Sequence, residues 1–173
     1  GGSADAGAVF RLIERVHGVP DDWQDRALKL GADVPACVRS EMAVGRGVGE
    51  ELAPLENDLA GTPVLLVNPR VALSTGPVFK AWDGEDRGPL PDGSASDIAI
   101  KGRNDLEAPA ISICPVIADV LAELRATAPI LARMSGSGAT CFALYHSLEA
   151  RDSAARAIAR SHPGWWQMAT ALR

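Results

Sequence analysis

The sequence is short of lysine, of clustered cysteine and of long apolar runs. Only Lys29, Lys80 and Lys101 among its 17 basic residues are lysine. Acidic residues outnumber basic ones 22 to 17, giving a formal net charge of −5. A chain that grips nucleic-acid phosphates along a broad surface carries the opposite excess, so no nucleic-acid partner is expected. The apolar runs are strand-length, such as Pro63 to Val67, and none approaches the ~20 residues of a membrane span. No basic segment leads into an apolar one, so neither a signal peptide nor a membrane partner is expected. Cys37, Cys114 and Cys141 are far apart and never spaced C-x-x-C, unlike a disulfide framework or a zinc site. They read as small buried apolar residues of a reducing, cytoplasmic compartment. His17, His146 and His162 form no metal-spaced pair, and no metal ligand is assigned. Internal repeats, coiled coil and low-complexity tracts are also missing.

What is present is the composition of a folded protein. The chain has 173 residues, 47% hydrophobic and 23% charged. That apolar content can bury a core and offset the entropy of ordering the chain. The length suits one domain, or one domain and part of another. The opening Gly1-Gly2-Ser3, without methionine, reads as the middle of a longer sequence.

Apolar residues recur at helical spacing from Ala4 to Val16, with Ser3 at the N-cap and Gly18 as a stop. Pro20 to Leu30 predicts a second helix ended by Gly31. Gly31 to Pro35 is a turn, and Ala36 to Val44 and Gly47 to Pro54 read as an antiparallel strand pair. The polar stretch from Glu56 to Gly61 marks a domain boundary. Beyond it come a strand at Pro63 to Val67, a short helix at Ser74 to Trp82 and a Gly/Pro/Asp-rich loop over Asp83 to Ser96. A strong amphipathic helix follows at Pro115 to Ala126. The remainder reads as strands at Ile130 to Met134 and Thr140 to Tyr145, a helix at Leu148 to Ser161 and a strand at Trp165 to Leu172. Such an order suits an α+β, ferredoxin-like sheet with helices on one side.

Three segments carry chemistry. Gly1-Gly2-Ser3-Ala4-Asp5-Ala6 leads into a helix, where free N–H groups and the dipole favour an anion, although a glycine pair there is commonly a tight turn. Met134-Ser135-Gly136-Ser137-Gly138-Ala139-Thr140 joins two predicted strands through an N–H-rich loop that suits a phosphate, or is a plain hairpin. It lacks the G-K-[ST] of a P-loop. Asp33, set between Gly31 and Pro35, is either a rigid, partly desolvated catalytic base or a turn and capping aspartate.

Together these segments resemble the GHMP small-molecule kinases, and within them the kinases that act on 4-diphosphocytidyl-2-C-methyl-D-erythritol. Residues 1–6 resemble the tail of the family's glycine-rich ATP loop, Leu30-Gly31-Ala32-Asp33-Val34-Pro35 its L-G-A-D-V-P motif, and residues 134–140 its M-S-G-S-G-A-T motif. Gly47-Val48-Gly49-Glu50 and Arg103-Asn104-Asp105-Leu106-Glu107 fit the same group. The resemblance implies residues 1–60 as the C-terminal part of an N-terminal ATP-binding domain and 61–173 as a ferredoxin-like C-terminal domain. It implies ATP with Mg²⁺ as donor and a cytidine diphosphate-linked methylerythritol as small-molecule substrate. Asp33 would be the catalytic base; Gly1, Gly2, Ser3, Ala4, Asp5, Ser135, Gly136, Ser137 and Gly138 would cradle the nucleotide phosphates. Thr75 would reach the methylerythritol, and Phe79 would stack on cytosine, its alternative being a core aromatic.

The same resemblance implies a preceding segment with the catalytic lysine, the first aromatic of the cytosine clamp and the adenine pocket. None of the three lysines sits in a matching motif. Apolar faces left uncovered in residues 1–60 predict self-association, as in a homodimer, or partial disorder. Two other readings stand beside the kinase: a non-catalytic binding or oligomerisation relic, and a GHMP kinase for homoserine or mevalonate. The 173-residue chain alone is expected to show no ATP-dependent phosphorylation; measurable turnover by it would overturn that expectation.

Overall fold

In the computed structural model, residues 2–47 and 51–173 are described. The chain divides into two compact units, Gly1–Asn57 and Asp58–Arg173.

In the first unit, helix α1 (Gly2–His17) starts earlier than the apolar periodicity indicates. Ser3 lies within its first turn and is not the N-cap, because the N–H groups of a first turn need no intrahelical partner and small polar residues fit there. Helix α2 (Trp23–Leu30) ends at Gly31. Val34–Arg39 then forms helix α3, where the sequence suggested a strand from Ala36. Pro35 sits in the first turn, which its fixed φ favours, and contacts to α1 override the strand preference of Val34, Cys37 and Val38. Arg11 donates to the carbonyls of Cys37 and Val38, satisfying last-turn acceptors and placing positive charge at that helix end. The strands are β1 (Ala43–Arg46) and β2 (Glu51–Pro54), antiparallel with Ala43 opposite Pro54.

The second unit is built on β3 (Pro63–Asn68), followed by α4 (Thr75–Ala81), α5 (Ala95–Lys101), α6 (Glu107–Ile113) and α7 (Val116–Ala126). Then come β4 (Leu131–Met134), β5 (Cys141–Leu144), α8 (Leu148–Ser161) and β6 (Trp166–Ala171). The sheet order is β4-β5-β3-β6, with every neighbouring pair antiparallel. An antiparallel sheet of the ferredoxin-like kind is what the sequence led one to expect, and the structure adds its strand order. Ile117, Val120, Leu121 and Leu124 of α7 are fully buried, the stripe that a 3.6-residue period produces. With Ala154 and Ile158 of α8 they form one core with Leu65 and Val67 of β3 and Cys141 and Ala143 of β5.

Helices α5 and α6 replace what the sequence suggested was loop through Ser96 and unassigned chain beyond. The start of α5 was marked by Ser94-x-x-Asp97: the Ser94 hydroxyl accepts the Asp97 N–H at 3.2 Å, half of a capping box. Asp58 accepts both the N–H and the hydroxyl of Ser96, at 3.0 and 2.6 Å. Among the described residues no helix is long and apolar enough to cross a membrane.

Gly7 sets the approach of α1 to α3. A Cβ there would lie 2.7 Å from the Cys37 carbonyl carbon and oxygen, which are backbone atoms that cannot rotate away. Gly7→Ala is expected to destabilise the protein by about 2 kcal/mol, read as a lowered midpoint in urea unfolding; an unchanged midpoint would show that the helices can move apart freely.

Candidate functional site

The glycine loop grows out of the edge of the sheet. Met134 ends β4, an edge strand, and faces Cys141 of β5. The next residue, Ser135, donates its N–H to the Thr140 carbonyl at 2.9 Å. Backbone pairing alternates along an antiparallel ladder, so the N–H and C=O of Met134 point away from β5. An unpaired edge of this kind needs partners, and both come from one motif. Glu107 accepts the Met134 N–H at 3.3 Å, and the Asn104 amide donates to the Met134 carbonyl at 2.9 Å.

Asn104 also donates to the Gly136 carbonyl at 2.8 Å, while its oxygen accepts the Leu106 N–H at 3.0 Å. The half-buried amide thus ties the start of α6 to the loop. Gly138 donates to the Ser135 carbonyl at 3.0 Å, closing a turn whose centre needs φ +54° at Gly136. Gly138 itself has φ +87°, and a Cβ there would lie 2.8 Å from the Met134 sulfur and 3.2 Å from Leu73. Below the loop, the Asn68 amide donates to the Thr140 hydroxyl at 2.9 Å.

The loop and the putting-forward of α4 meet at two hydroxyls: Thr75 Oγ1 and Ser137 Oγ are 2.9 Å apart. Two residues named from separate segments of the sequence are therefore brought together. Phe79 lies one turn after Thr75, on the same helix face. It is 55% exposed while Val78 is fully buried, so it is not a core aromatic. Past the C-terminal end of α4, a cleft of about 430 Å³ is lined by Trp82, Asp83, Arg87, Asn104, Asp105 and Ser112, among others.

In the first unit, Gly2, Ser3, Ala4 and Asp5 are the first turn of α1, with N–H groups that have no intrahelical partner. Gly1 lies outside the described residues, as do Val48, Gly49 and Glu50. Asp33 occupies the N-cap position of α3, yet its side chain makes no capping hydrogen bond. It is exposed within this chain, not partly desolvated as the flanking residues suggested. Buried Val34 and Pro35 anchor the turn behind it.

Electrostatics at the loop base centre on Glu107, which also pairs with Arg125 at 3.4 Å. Burial, with the Glu107 charge adding to it, pushes the Cys141 thiol up to about 12. Cys141 and Cys114 are buried, as the sequence suggested, whereas Cys37 is partly accessible. Among the described residues, no group of three His, Cys, Asp or Glu could hold a metal ion.

Sequence reasoning gave Asn68, Asn104 and Glu107 no role. Asn104 did carry a signal, an asparagine whose side chain bonds two residues on before a helix start, but the loop it holds is 30 residues away in sequence.

The second unit's fold and its glycine loop define a class. A family model described as GHMP kinases C terminal matches residues 92–164. Among curated proteins, the 4-diphosphocytidyl-2-C-methyl-D-erythritol kinase of Erythrobacter litoralis is 67% identical over all of this chain and 65% of its own length. The protein of the same name from Novosphingobium aromaticivorans is 64% identical over all of this chain and 60% of its own length. The chain thus spans less than two thirds of these relatives. A crystal structure of 4-(cytidine 5'-diphospho)-2C-methyl-D-erythritol kinase superposes with a TM-score of 0.78 at 31% identity, covering 99% of this chain and 65% of that one. Homoserine kinase from Cytophaga hutchinsonii shares the fold, with a TM-score of 0.74 at 15% identity, over 98% of this chain and 64% of its own.

Gly138→Ala is expected to cost about 2 kcal/mol, combining left-handed backbone strain with overpacking against Met134. Equilibrium unfolding measures it, and a variant as stable as the parent would show that the loop relaxes without cost. Iodoacetamide at neutral pH should label Cys37 well ahead of Cys114 and Cys141 in the folded protein; mass spectrometry finding all three labelled at one rate would contradict that burial.

Proposed function

We propose that the complete polypeptide carrying this chain transfers the γ-phosphate of ATP to the 2-hydroxyl of 4-diphosphocytidyl-2-C-methyl-D-erythritol. This is a step of the non-mevalonate route to isoprenoid precursors, placed in the cytoplasm with its ATP. The observation that supports it best is the held glycine loop, whose Ser137 meets the substrate-side residue Thr75 at 2.9 Å.

Phosphoryl transfer asks little covalent chemistry of a protein; it needs reactants in line and charge stabilised. In this reading Ser135, Gly136, Ser137 and Gly138 offer backbone N–H groups and hydroxyls to the phosphates. The first turn of α1, from Gly2 to Asp5, offers unpaired N–H groups of its own. Thr75 donates to the methylerythritol and Phe79 gives cytosine an exposed ring face. Asp33 accepts the proton of the attacking hydroxyl, with a carboxylate not spent on capping its helix. Mg²⁺ would ride on the nucleotide phosphates and neutralise their charge; among the described residues no group of three His, Cys, Asp or Glu could hold it without them.

The test is ADP release by the complete polypeptide with the cytidine-linked substrate, homoserine and mevalonate supplied in turn. Turnover confined to the first supports the reading, preference for either other alcohol moves the protein to a different substrate, and none with any leaves a binding module. Asp33→Ala is expected to lower kcat by about 10²–10⁴-fold, the usual worth of a general base, with the melting temperature unchanged. A near-normal kcat removes Asp33 from the mechanism.

A further inference from the structure

The glycine loop takes its backbone orientation from a side chain outside it, the Asn104 amide, which donates to two of its carbonyls. A trans peptide is planar, with C=O and the following N–H pointing in opposite directions. Where the Asn104 amide draws the Met134 carbonyl toward itself, the Ser135 N–H points the other way and meets Thr140. The same amide draws in the Gly136 carbonyl at 2.8 Å, so the Ser137 N–H must also point away from Asn104. Among the described residues no backbone carbonyl takes that N–H. The Ser137 hydroxyl is itself held by Thr75, so the residues on both sides of the Gly136–Ser137 peptide bond each have a side-chain tether.

We propose that Asn104 is a positioning residue for phosphoryl transfer: by holding the carbonyls of Met134 and Gly136 it turns the Ser137 N–H outward, toward a phosphate. The inference rests on the kinase reading above and adds a residue that acts through the loop backbone. Its chemistry separates it from a purely structural role. Asn104 oxygen accepts the Leu106 N–H at the start of α6, and an aspartate would keep that bond. An aspartate would lose both donors and set a carboxylate against two carbonyl oxygens, which repel it.

The test compares Asn104→Asp with Asn104→Ala in the complete polypeptide. Both are expected to lose about a hundredfold in kcat, the scale for losing one preorganised hydrogen-bond donor, although Asp keeps the bond to the start of α6. If Asn104 serves only to start α6, Asp will turn over like the parent, and that result overturns the proposal. A second readout needs no catalysis: on adding pyrophosphate to the parent, the Ser137 amide resonance should shift, and in Asn104→Asp it should not. A parent that turns over no substrate but shows this shift would fail the kinase reading and keep the positioning role. Should both variants fail to fold, hydrogen exchange at the Asn104 side-chain amide of the parent decides. Protected protons uphold the clamp, and exchange at the rate of free asparagine overturns it.

Discussion

Met134 turns its N–H and C=O away from its own sheet, and what satisfies them governs the rest of the site. A β-strand edge left bare costs free energy when buried and invites pairing when exposed. Here the edge is closed by side chains of one short segment, Glu107 on the N–H and Asn104 on the C=O. Because Asn104 reaches on to Gly136, closing the edge also aims the loop. Stability and the direction of the loop's N–H groups are therefore one set of hydrogen bonds.

That loop needs a rigid platform. It leaves the sheet between β4 and β5, and β5 pairs with β3, whose Leu65 and Val67 are fully buried under α7 and α8. Beyond the end of β3, the chain reaches α4, which returns Thr75 to Ser137. The first unit solves a similar problem differently. It lets α1 touch α3 at Gly7 and binds the last carbonyls of α3 with Arg11, which fixes the helix that Asp33 precedes.

Much of this was legible in the sequence, and the exceptions share a cause. The helix from Leu148 to Ser161 and the stripe of α7 were plain because their periodicity is local and strong. The α+β class of the second unit followed from the succession of strands and helices. The Ala36 strand was wrong because Val and Cys carry a β preference that loses to Pro35 in a first turn and to contact with α1. Helix α5 was hidden by the glycines and prolines before it, although Ser94 and Asp97 announced its start. Among the candidate residues, the motifs picked out Thr75, Ser137 and Asp33 as residue types, but not that Thr75 and Ser137 touch. Asn104 stood in a recognised motif but without a role, since the loop partners of its amide are carbonyls, and any residue supplies a carbonyl.

Phosphoryl transfer to the tertiary 2-hydroxyl is the central claim, and the product itself tests it most directly. The complete polypeptide, ATP and carbon-labelled substrate would be followed by phosphorus and carbon NMR. The account predicts a new phosphomonoester whose phosphorus couples to the tertiary carbon bearing the methyl group. A new phosphorus coupled to a CH or CH₂ carbon, or inorganic phosphate as the sole new signal, would contradict it.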